Sequence, residues 1–64
     1  MLPFQERVVQ EKNELDVKIK KLDDFIHSEM HRNLPEDERL RMLRQFCHMK
    51  DYSNILGDRI AYFV

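Results

Sequence analysis

The chain reads as all-α: an antiparallel two-helix hairpin that assembles with copies of itself into a homo-oligomeric helical bundle. With one Gly, two Pro and 36% charged residues, its composition suits long solvated helices better than strands and turns. Apolar residues recur at alternating steps of three and four in two separate stretches, the mark of helical seams. At 64 residues the chain buries only about 60% of the surface its unfolded form exposes, so it needs a staple or partner copies.

The first helix is expected over residues 3–29. Pro3 stands at its opening, where a missing N–H costs nothing, and no breaker follows until HSEMHRN at 27–33. Val8, Leu15, Ile19, Leu22 and Ile26 form its seam, and the same spacing run backward puts Gln5 and Lys12 on that line. The stripe is therefore interrupted by polar groups toward its N-terminal end. A turn over 30–34 closes with Leu34-Pro35, a repeat of Leu2-Pro3, because the residue before a proline avoids the helical region.

The second helix is expected over 35–63, completing one hairpin domain, 1–64. Glu36, Asp37 and Glu38 fall in its first turn, where carboxylates meet the positive end of the helix dipole. Its seam runs Met42, Phe46, Met49, Ser53, Leu56, Ile60, Phe63. Two helices of matching length with a short connection fold back antiparallel. That register pairs Ile26 with Leu40, Ile19 with Phe46, Leu15 with Met49, Lys12 with Tyr52 and Ser53, and Val8 with Leu56. The polar interruptions at Lys12 and Ser53 thus meet at one level.

Apolar residues also lie off the seams: Phe4, Val9, Val17 and Phe25 on the first helix, and Leu40, Leu43, Cys47, Tyr52, Ile55 and Tyr62 on the second. A hairpin has no third layer to cover them. Large exposed apolar patches mark interfaces, so the expected partner is the chain itself, as two-fold related hairpins; the alternative is a different protein on the uncovered face.

Several classes are excluded at this stage. Cys47 is alone, which rules out an intrachain disulfide and fits a reducing, cytoplasmic setting. No targeting segment or apolar run near 18 residues suggests export or a membrane. Eleven basic against twelve acidic residues, a net charge of −1, argue against binding a nucleic-acid polymer. Lys18, Lys20 and Lys21 beside Asp23 and Asp24 read as a solvated face, with Asp16 and Lys20 a favourably ordered pair.

Nor does catalysis suggest itself. His48 is turned about 100° from Cys47 on a helix, and no acid–base pair falls in a cavity that a hairpin can form. His27 and His31, four apart, would share a metal only if the first helix ran that far, with Glu29 or another chain as third ligand. No metal or cofactor is expected.

What remains is a binding surface near the open end. Tyr52, Ile55, Arg59 and Tyr62 share a face of the second helix, setting aromatic rings beside a guanidinium, as a flat base with a phosphate requires. Taken singly, Tyr52 and Tyr62 read first as interface anchors and Arg59 as a solvated charge. Arg7, Lys12 and Asn13 lie at the same end of the hairpin, although Arg7 and Glu11 also have the spacing of an exposed ion pair. Ser53 and Asn54 are weak choices mid-helix, and Gly57 costs about 1 kcal/mol relative to alanine. A close helix backbone or a ligand would offset that. The candidate ligand-binding residues are therefore Arg7, Lys12, Asn13, Tyr52, Ser53, Arg59 and Tyr62.

Through RVVQEKNELDVKIKKLDDFI, LPEDERLRMLRQ and MKDYSNILGDRIAYF, the chain resembles the short helical-hairpin proteins of tailed phages, which include cyclic-oligonucleotide sponges of the anti-CBASS and anti-Thoeris kind. The resemblance implies a compact oligomer, often a hexamer built from dimers, acting in the host cytoplasm. It would sequester a cyclic di- or trinucleotide second messenger between protomers without cleaving it. A first-helix lysine and a C-terminal-helix arginine hold phosphate in such sponges, and Lys12 and Arg59 are the matching positions. The stacking aromatic of the best-known members precedes their first helix, where this chain has only Phe4 nearby, leaving Tyr52 and Tyr62 as candidates. A phage protein that inhibits a host protein through its apolar face is the competing expectation.

Overall fold

Extended backbone at Leu2 (φ −73°, ψ 155°) leads into Pro3, the first residue of α1 (Pro3–Ile26). The computed structural model describes residues 1–63; Val64, the last residue of the expected 1–64 domain, lies outside them. Gln5 closes the start of α1, its Oε1 accepting the Leu2 N–H at 2.8 Å, and it is buried. The polar interruption that the seam pattern places at Gln5 is thus a cap for an otherwise unpaired donor.

The first helix stops at Ile26, short of the expected 29, and the segment expected as a turn holds most of a one-turn helix, α2 (Glu29–Arg32). Ser28 causes both departures. In extended conformation (φ −89°, ψ 161°), it donates its hydroxyl to the Phe25 carbonyl and accepts the His31 N–H at 3.3 Å. A serine that bonds backbone on both sides ends one helix and caps the next. His31 is buried, its ring edge-on to Phe25 with centroids 6.1 Å apart, which seats α2 against α1.

Pro35 (φ −56°, ψ 147°) precedes α3 (Glu36–Ala61), whose first turn carries Glu36, Asp37 and Glu38. Arg41 reaches back to Glu38 at 2.8 Å and Asp37 at 3.4 Å, all at the surface. The helix ends at Ala61, followed by a tight turn in which the N–H groups of Tyr62 and Phe63 bond the Arg59 and Ile60 carbonyls.

α1 and α3 lie antiparallel in a rod 47 × 14 × 13 Å, with no strand among the described residues. Among those residues only two apolar side chains are buried, Val8 at 6% exposure and Leu56 at 0%. Leu15, Ile19, Leu22, Ile26, Met42, Phe46, Met49 and Ile60 are half-buried, since each helix has a single long neighbour. Phe4, expected off the seam, meets Phe63 edge-on at 6.0 Å, because a long aromatic side chain reaches around the seam's margin. Val17, Met30, Leu40, Leu43, Ile55 and Tyr62 remain exposed.

Candidate ligand site

Near the middle of the hairpin, α1 and α3 are joined by three side chains. Lys12 Nζ donates to Asp16 Oδ2 at 2.8 Å and to Ser53 Oγ at 3.1 Å, while the Ser53 hydroxyl donates to Asp16 Oδ1 at 2.5 Å. Lys12 and Asp16 stand one turn apart on α1 and Ser53 faces them from α3, so helical spacing and register together close the ring. Ser53 is buried; Lys12 is largely covered, whereas Asp16 is 44% exposed. The ring is therefore sealed against the seam and open to solvent on its carboxylate side.

Gly57, one turn beyond Ser53, makes room for the lysine. A β-carbon there would stand 3.3 Å from Lys12 Cε, and the glycine's backbone is ordinary helix without positive φ. Within the chain, then, a lysine stem rather than a second helix backbone lies against Gly57. The hydrogen bond from Lys12, and next the one from Ser53, hold the Asp16 carboxyl below its ordinary range against a smaller desolvation penalty. An ammonium and a hydroxyl already directed at one anionic group form an arrangement suited to binding carboxylate or phosphate oxygens.

Of the seven candidates, the structure brings together Lys12 and Ser53. Arg7, Asn13, Tyr52, Arg59 and Tyr62 are exposed, and among the described residues their side chains make no hydrogen bond or ion pair. At about 100° per residue, Asn13 follows Lys12 onto one flank, whereas Arg7, Tyr52 and Arg59 fall on the opposite flank. Tyr62, 84% exposed, faces away from α1. One hairpin does not gather these groups into a pocket.

Asp16 is the residue that sequence reasoning missed. The expected Asp16–Lys20 pair is not formed; Asp16 turns back to Lys12, and Lys20 lies 3.6 Å from Asp24. The available signal was Asp16 one turn after Lys12, beside the seam at the level of Ser53. A shallow groove adjoins the ring on the Asn13 flank, lined by Asp16, Ile19, Lys20, Asp23, Phe46 and Lys50, with the Lys50 ammonium 5.2 Å from the Phe46 ring centre. Ile19 and Phe46, paired by the sequence register, share this groove.

His27 and His31 are separated by the break in the helix. His27 is exposed with Nδ1 2.8 Å from the Asp23 carbonyl, and His31 is buried. Among the described residues no group of three or more His, Cys, Asp or Glu is placed to hold a metal, and no helix is long and apolar enough to cross a membrane. Cys47 is free and exposed.

Comparison with known proteins gives two matches along nearly the whole chain. The family model described as Sequestin matches residues 2–62. An uncharacterized 7.5 kDa protein from the denB–rIIB intergenic region of Enterobacteria phage T4 is 38% identical over 63 residues, covering 98% of each chain. No solved structure matches.

Proposed function

The chain belongs to the Sequestin family, and on that premise we propose that it is a phage anti-defence sponge. In this reading it binds a cyclic di- or trinucleotide second messenger between subunits of a homo-oligomer in the host cytoplasm and withholds it without chemistry. The observation that carries the reading is the Lys12–Asp16–Ser53 ring. Within it Lys12 and Ser53 aim an ammonium and a hydroxyl at one anionic group from two helices, the donor pair a phosphate requires. Support also comes from the family's name, which denotes sequestration, and from apolar side chains left uncovered by the hairpin. Copies packed through those faces would bring Arg7, Asn13, Tyr52, Arg59 and Tyr62 of different protomers around a single ligand.

Thermal shift of the purified protein with a panel of cyclic di- and trinucleotides tests this. Stabilisation by at least one compound is expected, with loss of the shift in Lys12→Ala and Arg59→Ala and recovery of intact nucleotide on heating. No shift across the panel, or recovery of a cleaved product, would overturn it. Exposed Val17, Leu40 and Leu43 favour a second reading, an inhibitor that docks on one host protein, for which the panel stays silent and a host protein co-purifies.

A further inference from the structure

The polar ring is complete without a ligand. Lys12 and Ser53 could both donate to an anion, yet the single hydroxyl hydrogen of Ser53 and one N–H of Lys12 already go to the Asp16 carboxylate, which accepts one hydrogen bond on each oxygen, while a second Lys12 N–H goes to Ser53 Oγ. Asp16 is also the most exposed member of the ring, so it can swing out without dismantling the seam beneath it. We propose that Asp16 is a built-in competitor for the anion site: its carboxylate occupies the positions on Lys12 Nζ and Ser53 Oγ that a phosphate of the ligand takes, and so decides which anions enter. The proposal rests on the nucleotide-binding reading above.

The selectivity follows from tethering. A carboxylate one helical turn from its lysine is present at an effective concentration on the order of millimolar or above, so a free anion that offers only the same two hydrogen bonds loses to it. Inorganic phosphate and simple carboxylates are therefore refused at ordinary concentrations. A ligand that brings further contacts recovers the cost of displacing Asp16 through its other groups. A nucleotide with a base to stack or a second phosphate to bind meets that condition. The class selected is a multiply anchored phosphate ester rather than a bare anion.

The displaced carboxylate has somewhere to go. Lys20 stands four residues further along α1 and lines the same groove as Asp16, so a carboxylate released from Lys12 can face a second cation rather than open water. Lys20's present partner, Asp24, is 3.6 Å away with both side chains well exposed, which leaves that ammonium available to share.

The experiment compares wild type, Asp16→Asn and Glu14→Gln by titration calorimetry with inorganic phosphate, cyclic di-AMP and cyclic tri-AMP. Glu14 is an exposed acid on the same helix bonded by Gln10, so its neutralisation controls for the change in net charge. Expected is roughly a tenfold gain in affinity for the bound nucleotide in Asp16→Asn, measurable phosphate binding in that variant alone, and no gain in Glu14→Gln. Circular dichroism verifies that each variant is folded, and Asp16→Ser gives a second neutral side chain if the asparagine variant does not fold. Wild-type nucleotide binding with an unchanged or weaker Asp16→Asn overturns the competitor role and leaves the sponge reading standing. An equal gain in Glu14→Gln overturns it too, since net charge then explains the effect. Binding by no form of the protein removes both.

Discussion

The aliphatic stem of Lys12 lies against Gly57, so closely that a β-carbon added to the glycine would stand 3.3 Å from Lys12 Cε. The space a side chain would occupy on α3 is filled by a side chain from α1, and the two substitutions that probe this have opposite signs. Gly57→Ala adds a methyl that a flexible lysine stem can accommodate by a small shift, while removing glycine's helix penalty of about 1 kcal/mol. It is expected to raise the denaturation midpoint at unchanged slope, by about 0.5 kcal/mol or more. Gly57→Leu pushes the stem aside and separates Lys12 from Ser53, so it is expected to lower the midpoint.

The charge of Asp16 supplies a pH signature. Its carboxyl is held below the ordinary value of 3.8 by the bonds from Lys12 and Ser53, so the folded state binds its proton less readily than the unfolded chain does. The stabilisation is fully present above about pH 4 and is lost as pH falls through the lowered folded value. The side chain is 44% exposed, so water screens the pair and its worth stays near that of surface pairs, about 1 kcal/mol or less. Urea unfolding of wild type and Asp16→Asn from pH 7 to pH 2 should show a wild-type advantage that shrinks below about pH 4. A constant difference over that range would mean that the carboxylate is not held by the ring.

His31 carries a buried Nε2 without a hydrogen-bond partner among the described residues. An unsatisfied buried polar atom costs about 1–3 kcal/mol, and leucine at this position removes it while keeping most of the apolar contact with Phe25. His31→Leu is expected to raise Tm by several degrees at matched protein concentration, since about 1 kcal/mol moves Tm by roughly 4–8 °C in a chain of this size. A lower Tm would show that Nε2 finds a partner in solution.

Ser28 supports the connection between the long helices from both sides. Ser28→Ala removes the cap of α2 and the bond to the Phe25 carbonyl, a loss of about 1 kcal/mol. Hydrogen exchange should quicken at the amides of His31 and Arg32 while the middle of α3 keeps its protection. Uniform acceleration along both helices would mean that the connection and the seam open together.

How far the chain could be read in advance depends on the range of the interaction. Periodicity placed Val8 against Leu56, Ile19 beside Phe46 and Lys12 level with Ser53, because a helical seam repeated over six turns over-determines the register. It did not find α2, which is too short to display a period; only Ser28, a good cap, announced it. By helical angle Phe4 falls off the seam, and only the reach of its aromatic ring brings it to Phe63. For Asp16 two lysines stood at equal distance along the helix, and the local rule for ordered pairs favoured Lys20. The Ser53 hydroxyl, 37 residues away in the chain, decided for Lys12. The remaining candidates, Arg7, Asn13, Tyr52, Arg59 and Tyr62, do not converge within one hairpin, because residues that lie near one another along the chain's open end point to different flanks around the helix axes.

With Val8 and Leu56 as its only buried apolar side chains among the described residues, the rod has almost no inside. Under the proposed assembly its order would be a collective matter that grows with protein concentration, because association shifts apparent stability by mass action. In that case fold and capacity would rise together and steeply once the concentration passes the threshold for assembly.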